Sequence, residues 1–329
     1  MYYGMQSFMK MTFQNTFGAA ETSSSQAFGF KSESLNKTIE QITSKPGRKR
    51  FLKRRFTSGK RHVKGNLSLD AFPTVMAYAL KSVLFSSTVE SNGYRHSFDV
   101  ACYDYNGLSA TNLLTAEIHR GGDNSQYYYD LNGNSLAVNI KKNDFVSLEL
   151  DMLGTSQVES TKSNPVYLDE EPFFYNQVSM GFDGNPEMNI DEMTLTIQNN
   201  LEPRYNLGIT SKPRRIARAE EMTIGLTATL NCQSNSYFNA FNNQSEHNIT
   251  IAMANSYGSV EIEMGDVKVL NYESNISDPG VITGRFEATV CDSVFITVIN
   301  SFMLLNEPFM LDDNKYGKLG YNYNPIGAE

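Results

Sequence analysis

Met222-Thr-Ile-Gly-Leu-Thr-Ala-Thr-Leu230 alternates apolar and small polar residues over nine positions. Successive side chains of an extended strand point to opposite faces, so such a stretch buries one face and wets the other. It reads as a half-buried antiparallel strand. The same period recurs on both sides of it. Asn66-Leu-Ser-Leu-Asp70, His96-Ser-Phe-Asp-Val-Ala-Cys-Tyr103, Phe145-Val-Ser-Leu-Glu-Leu-Asp-Met-Leu153 and Met193-Thr-Leu-Thr-Ile-Gln198 precede it; Asn248-Ile-Thr-Ile-Ala-Met253 and Arg285-Phe-Glu-Ala-Thr-Val290 follow. Gly, Asn and Pro punctuate the spaces between, as turns require. The 18 Tyr and 20 Phe fit a pleated surface. The chain is mainly β.

One stretch follows a different period. Val75, Ala79 and Val83, with Met76, Leu80 and Leu84, form an apolar helical face between Phe72 and Phe85. Asp70 is placed to cap this helix and Pro73 suits its first turn.

The order of features then repeats. Gly65-Asn-Leu-Ser-Leu-Asp aligns with Gly225-Leu-Thr-Ala-Thr-Leu. Each follows an Arg/Lys-containing loop and precedes a short helix, with Tyr237-Phe-Asn-Ala-Phe241 as the second one. His96 and His247 open the next strand in each half, and Gly107 and Gly258 lie eleven residues further on. Asp144-Phe-Val-Ser-Leu-Glu-Leu-Asp151 and Gly280-Val-Ile-Thr-Gly-Arg-Phe-Glu287 close the halves. Such self-similarity marks a tandem duplication. The expected fold is two β-sandwich or partial-barrel units, each with a flanking helix, at 1–160 and 177–300. Lys162-Ser-Asn-Pro-Val-Tyr-Leu-Asp-Glu-Glu-Pro172 makes 161–176 a linker and hinge, and 301–329 reads as an extended tail.

Charge is unevenly placed. The formal net charge is −8, yet Lys45 to Lys64 holds ten bases and no acid, leaving 18 bases against 36 acids elsewhere, or −18. A basic segment between two strands has three readings: a loop reaching acidic surface on another copy, a solvated face, or a grip on nucleic acid with Phe51 and Phe56 stacking on bases. The first is preferred, because nucleic-acid arms lie at chain ends and lack strand patterning. Its counterpart in the second half is Arg204 to Arg218. The candidate contact residues are Arg48, Lys49, Arg50, Lys53, Arg54, Arg55, Lys60 and Arg61, with Lys212, Arg214, Arg215 and Arg218.

Catalytic and metal chemistry finds no foothold. His62, His96, His119 and His247 sit in no HExxH and beside no Cys. Cys102, Cys232 and Cys291 are far apart and read as small apolar strand residues; with no secretory leader evident, assembly in a reducing cytoplasm is expected. Asp169-Glu-Glu171, Asp191-Glu192, Glu220-Glu221 and Asp312-Asp313 read as solvated turns, as do Asp104-Tyr-Asn-Gly and Asp130-Leu-Asn-Gly-Asn-Ser, which lack the Gly and Glu of a calcium loop. No phosphate-cradling glycine loop and no G-x-S-x-G elbow occurs. No run of about 18 apolar residues spans a membrane. An enzyme is not indicated, and no cofactor is called for.

Three segments, taken in order, resemble the tail tube proteins of long-tailed bacteriophages. They are Phe30-Lys-Ser-Glu-Ser-Leu-Asn36 with Gly59-Lys-Arg-His-Val-Lys-Gly-Asn-Leu-Ser-Leu69; Met193 to Gly208 with its Asn-Asn-Leu-Glu-Pro core; and Tyr257 to Leu270 with Gly284-Arg-Phe-Glu-Ala-Thr289. The resemblance runs from about Phe13 to Cys291. It departs at Ile224, before Gly225, and in the unusual charge of the basic loop. It implies a structural virion protein whose β units close into rings around a DNA channel, without membrane contact. Tape measure and tail terminator or tip proteins are the implied partners, with viral DNA in transient passage. If both halves are tube units, three chains make a pseudo-hexameric ring, with six chains as the alternative. The competing readings are a nucleic-acid-binding capsid-type β-sandwich and a carbohydrate-binding sandwich that uses Tyr127-Tyr-Tyr129 as its platform.

Overall fold

The computed structural model describes residues 7–22, 26–43, 56–84, 88–89, 95–99, 113–187, 189–207, 210–231, 236–276 and 282–300. Two short strands, β1 (Phe8–Phe13) and β2 (Gln26–Phe28), open the chain. Then come β3 (Ser32–Glu33), β4 (Asn36–Thr43), β5 (Phe56–Asp70), α1 (Pro73–Leu84), β6 (Thr88–Val89) and β7 (Arg95–Asp99). Next are β8 (Leu114–His119), β9 (Asn124–Lys141), β10 (Ser147–Gly154) and β11 (Ser156–Thr161). The later part holds β12 (Val178–Phe182), β13 (Asn185–Glu187), β14 (Ile190–Gln198), β15 (Leu201–Arg204), β16 (Arg215–Arg218) and β17 (Thr223–Asn231). It ends with α2 (Ser236–Asn243), β18 (Glu246–Asn255), β19 (Gly258–Ile276) and β20 (Ile282–Asn300).

One pairing order occurs twice. In the first part, β2 pairs with β1, β1 with β8, and β8 with the start of β9. The rest of β9 pairs with β10, β10 with β5, and β5 with β3 and β4. In the later part, β13 pairs with β12, β12 with β18, and β18 with the start of β19. The rest of β19 pairs with the start of β20, which pairs with β17, which pairs with β14. A β9–β14 pairing welds the two sets into one antiparallel sheet, ordered β4-β5-β10-β9-β14-β17-β20-β19. The long strands β9 and β19 leave this sheet midway and enter an outer sheet.

Each strand changes sheet at an aspartate. Asp130 has φ 53° and Asp266 has φ 52°, a left-handed conformation that Asp tolerates better than most residues. Four residues later each strand carries a bulge, at Asn134 and at Leu270. Expected as a turn, Asp130-Leu-Asn-Gly-Asn-Ser is the continuous bend of an 18-residue strand. The bulges also set the alignment of the two parts: Gly65, opposite Met152, matches Leu226, opposite Ala288. The glycine-on-glycine alignment read from the sequence is thus one residue out of step.

Burial follows the period-two pattern. Leu69, Leu148, Val138, Leu195, Leu226, Ala288 and Val269 form one buried row across the central sheet. All twelve residues of α1 are buried, and the helix packs against β7, β9, β19 and β20. Asp70 does not cap it. Pro73 makes Phe72 the last residue before the helix, and the Asp70 carboxylate pairs with Lys31 at 2.7 Å instead. The cap is Glu170, which accepts from the Thr74 backbone N–H (3.2 Å) and hydroxyl.

Glu170 belongs to the expected hinge, and that segment is pinned. Ser163 N–H donates to Glu117 (2.9 Å), Ala27 N–H to Val166 O (3.1 Å), and buried Phe173 exchanges backbone bonds with Ala71 and Val146. Nor are His96 and His247 equivalent. The counterpart of β18 is β8, whereas β7 crosses over to pair with the end of β20. Tyr127 and Tyr128 are buried, so no aromatic platform faces solvent there. The tail at 301–329, Cys102, Cys232, Gly107 and Asp104 lie outside the described residues; Cys291 is exposed with a free thiol.

Candidate functional site

The face of the central sheet opposite the core is polar from edge to edge. Asp70, Ser147, Asn139, Thr194, Thr227, Glu287 and Asn271 form one row across seven strands. A second row runs Ser68, Glu149, Ala137, Thr196, Gly225, Thr289 and Lys268. A third holds Lys141, Glu192, Thr229, Arg285 and Glu273, and a fourth Asn66, Asp151, Ser135, Gln198 and Thr223. Acids outnumber bases in these rows by two to one. Several acids are held by neutral donors: Ser68 hydroxyl to Glu149 (2.6 Å), Asn134 amide to Asp151 (3.0 Å) and Thr229 hydroxyl to Glu192 (3.3 Å). Neutral donors leave the negative charge in place; Asp70 and Glu287, by contrast, are paired with Lys31 (2.7 Å) and Arg285 (3.3 Å), which offset theirs. The rows keep a modest excess of acids and hold no strip of cations.

The two basic segments meet at one end of this sheet. Arg48, Lys49, Arg50, Lys53, Arg54 and Arg55 lie outside the described residues. The base of their arm is described, and it rests on the loop between β14 and β17. Arg61 N–H donates to Ser211 O (2.9 Å), the Lys60 ammonium stands 5.1 Å over the Tyr205 ring, and His62 Nδ1 is 3.0 Å from the Tyr205 hydroxyl. Burial, with Lys64 nearby, lowers the His62 pKa below its ordinary value, so this contact is made by a neutral imidazole near pH 7. Lys212 donates to the Tyr129 hydroxyl (3.3 Å). Arg214 and Arg215 are exposed at the start of β16, with Arg214 N–H on Arg204 O (2.9 Å). Arg218 points inward and donates to Asn199 Oδ1 (2.8 Å), which ties the loop to the sheet.

The opposite end of β14 is different. There the β12–β13 hairpin, Tyr175 and the start of β14 border an open groove of about 450 Å³, with Glu187, Asp191 and Glu192 among its walls and Lys142 bonded to Asp191 at 3.3 Å. Acids thus stand at the beginning of β14, and cations gather beside the segment that follows its end.

Among the described residues, the sheet has one polar, acid-rich face and two edges without a pairing partner. The family model of phage tail tube proteins matches residues 4–290. The chain belongs to that family. No curated protein matches it. As a tail tube protein it is a structural component of the virion tail, from a family that is structural and not enzymatic. Among the described residues of this tube protein, no helix is long and apolar enough to cross a membrane. The sequence pointed to the basic segments through their charge. It missed the acidic face, whose members are scattered over 217 positions, from Asp70 to Glu287, and come together only through strand register.

Proposed function

We propose that the chains close into rings, that the rings stack into a tail tube, and that the polar face of the central sheet lines the channel through which viral DNA passes. The observation that carries this reading is the acid excess along rows that cross the whole sheet. Each cation on such a wall would release counterions from DNA and hold it; an acidic wall lets the duplex slide. The two parts with one pairing order act as two tube units, 1–160 and 177–300, so three chains supply six units. Assembly takes place in the host cytoplasm, with tape measure and terminator or tip proteins as partners.

The cationic end of each chain, with Lys60, Arg61, Lys212, Arg214, Arg215 and the basic segment at 45–55, faces the groove of Glu187, Asp191 and Glu192 on the next ring. A single exposed ion pair is worth about 0–1 kcal/mol. Repetition around a ring makes the sum decisive. Electron microscopy of purified protein should show hollow rods of constant width, and Arg214→Glu with Arg215→Glu should leave annuli that do not stack. Purified chains that stay single and hold duplex DNA with steep salt dependence would instead make this a nucleic-acid-binding β-sandwich, and the tube reading would fall.

A further inference from the structure

Resting on the ring reading, we infer that neighbouring chains join in one fixed register, with β19 of one chain antiparallel to β3 and β4 of the next. The pattern for this seam lies inside the chain, in the β9–β14 pairing. Among the described residues, β19 beyond Lys268 pairs only with β20, while β3 and β4 pair only with β5. These are the two outer edges of the central sheet, and uncovered edges are templates for further pairing.

The matching bends and bulges align β9 with β19 residue by residue, so Ser135 falls on Asn271 and Ala137 on Glu273. Through β17 and β5, strand β14 falls on residues 32–38. Leu195 then matches Leu35, both buried, and Gln198 matches Thr38. The internal pairs Ser135–Gln198 and Ala137–Thr196 become Asn271–Thr38 and Glu273–Asn36 across the seam.

A second observation, independent of the alignment, supports the same occupant. At the internal junction the next position holds Asn134 and Asn199. Asn199 N–H donates to Asn134 O at 2.8 Å, and the Asn199 side chain is fully buried. The counterparts of this pair are Leu270 and Ile39. Both are large apolar residues left in solvent, 57% and 48% exposed, on opposite edges of the chain. The seam sets them side by side, so each edge carries half of an apolar contact that only a second copy completes.

Cysteine pairs test the register, on a background with Cys102, Cys232 and Cys291 changed to serine. Glu273→Cys with Asn36→Cys in one chain should, on mild oxidation of assembled tubes, close every seam and give a covalent ring of three chains on a non-reducing denaturing gel. Glu273→Cys with Thr38→Cys displaces the partner by two residues, beyond disulfide reach, and should give none. Leu270→Asp should keep its strand content and remain unassembled. Tubes that show no cross-link with the first pair, or equal cross-linking with the displaced pair, overturn the register and leave the tube reading standing. Covalent rings of six overturn the three-chain count while supporting the register. A parent protein that never forms rings or tubes overturns the tube reading itself.

Discussion

The two halves of this tube protein share an order of strand pairing but are held together by different means. In the first, the bend of β9 is a polar knot: the buried Asp130 carboxylate accepts from Gln14 Nε2 (3.1 Å), Gly18 N–H (2.8 Å) and the Thr155 hydroxyl. In the second, Asp266 makes the same bend half in solvent. Helix α1 is buried along all twelve residues, whereas α2 has eight, of which Tyr237 and Ala240 are buried and Phe238 is 45% exposed. The same pairing order is thus held by different side chains in the two halves. Each half carries an exposed apolar residue at its outer edge, Ile39 in the first and Leu270 in the second.

The largest expected effect separates the two bends. Asp130→Ala leaves the buried Thr155 hydroxyl without its acceptor, removes the bonds to Gln14 Nε2 and Gly18 N–H, and places alanine at positive φ, a loss of about 3–5 kcal/mol. Asp266→Ala pays only the backbone strain, about 1–2 kcal/mol, and Asp266→Gly should be close to neutral. Urea unfolding of the three variants measures the contrast. Equal losses at the two aspartates would mean that the halves are held alike after all.

A smaller effect, from added volume at one position and removed volume at the other, belongs to the aligned pair Gly65 and Leu226. A Cβ on Gly65 would stand 2.5 Å from Ser34 O and 2.6 Å from the Leu35 N and Cα, all backbone atoms that have no rotamer to yield. Gly65→Ala should therefore cost about 1–3 kcal/mol through overpacking. At Leu226, 1% exposed, it is removal that hurts: Leu226→Ala should cost about 2–5 kcal/mol, near the lower bound because Ala228 and Ala288 leave room to collapse. Thermal unfolding midpoints check both. A harmless Gly65→Ala would mean that the Ser34–Leu35 backbone yields to the added methyl group.

What the sequence disclosed follows from this contrast. Strands such as Met193–Gln198 and Met222–Leu230 were legible because a half-buried sheet imposes its period on composition. Helix α1 was legible because all its apolar positions recur at helical spacing. The bend at Asp130 was not, since Asp, Asn and Gly mark a turn and a sheet-changing bulge equally well. Gly65 and Gly225 misled the alignment because they are glycines for unrelated reasons: the first meets a close backbone, while a Cβ on the second would find only Ala288 O at 3.6 Å. The cations at Lys60 and Arg61 announce themselves as a run. The acidic wall has no run to read, because Asp70, Glu149, Glu192 and Glu287 become neighbours only through pairing.

The linker exists once, between the halves, and its grip on α1 supplies the smallest effect. Glu170 takes the place that Asp70 cannot, and burial raises its carboxyl pKa above the ordinary 4.5 while the Thr74 bonds pull it back. A carboxyl with a raised folded-state pKa binds its proton more tightly in the folded chain than in the unfolded one. Its linked stability is therefore fully present below the unfolded value and is lost as pH rises through the folded one. Glu170→Gln keeps an acceptor for Thr74 without the charge, so wild type should lose stability relative to this variant as pH climbs from about 4 to 7. Glu170→Ala, with no acceptor, should cost about 1 kcal/mol relative to Glu170→Gln at any pH in that range. A wild-type-minus-Gln difference that stays flat would mean the carboxylate is satisfied by solvent, and α1 would then owe its start to Pro73 and to burial alone.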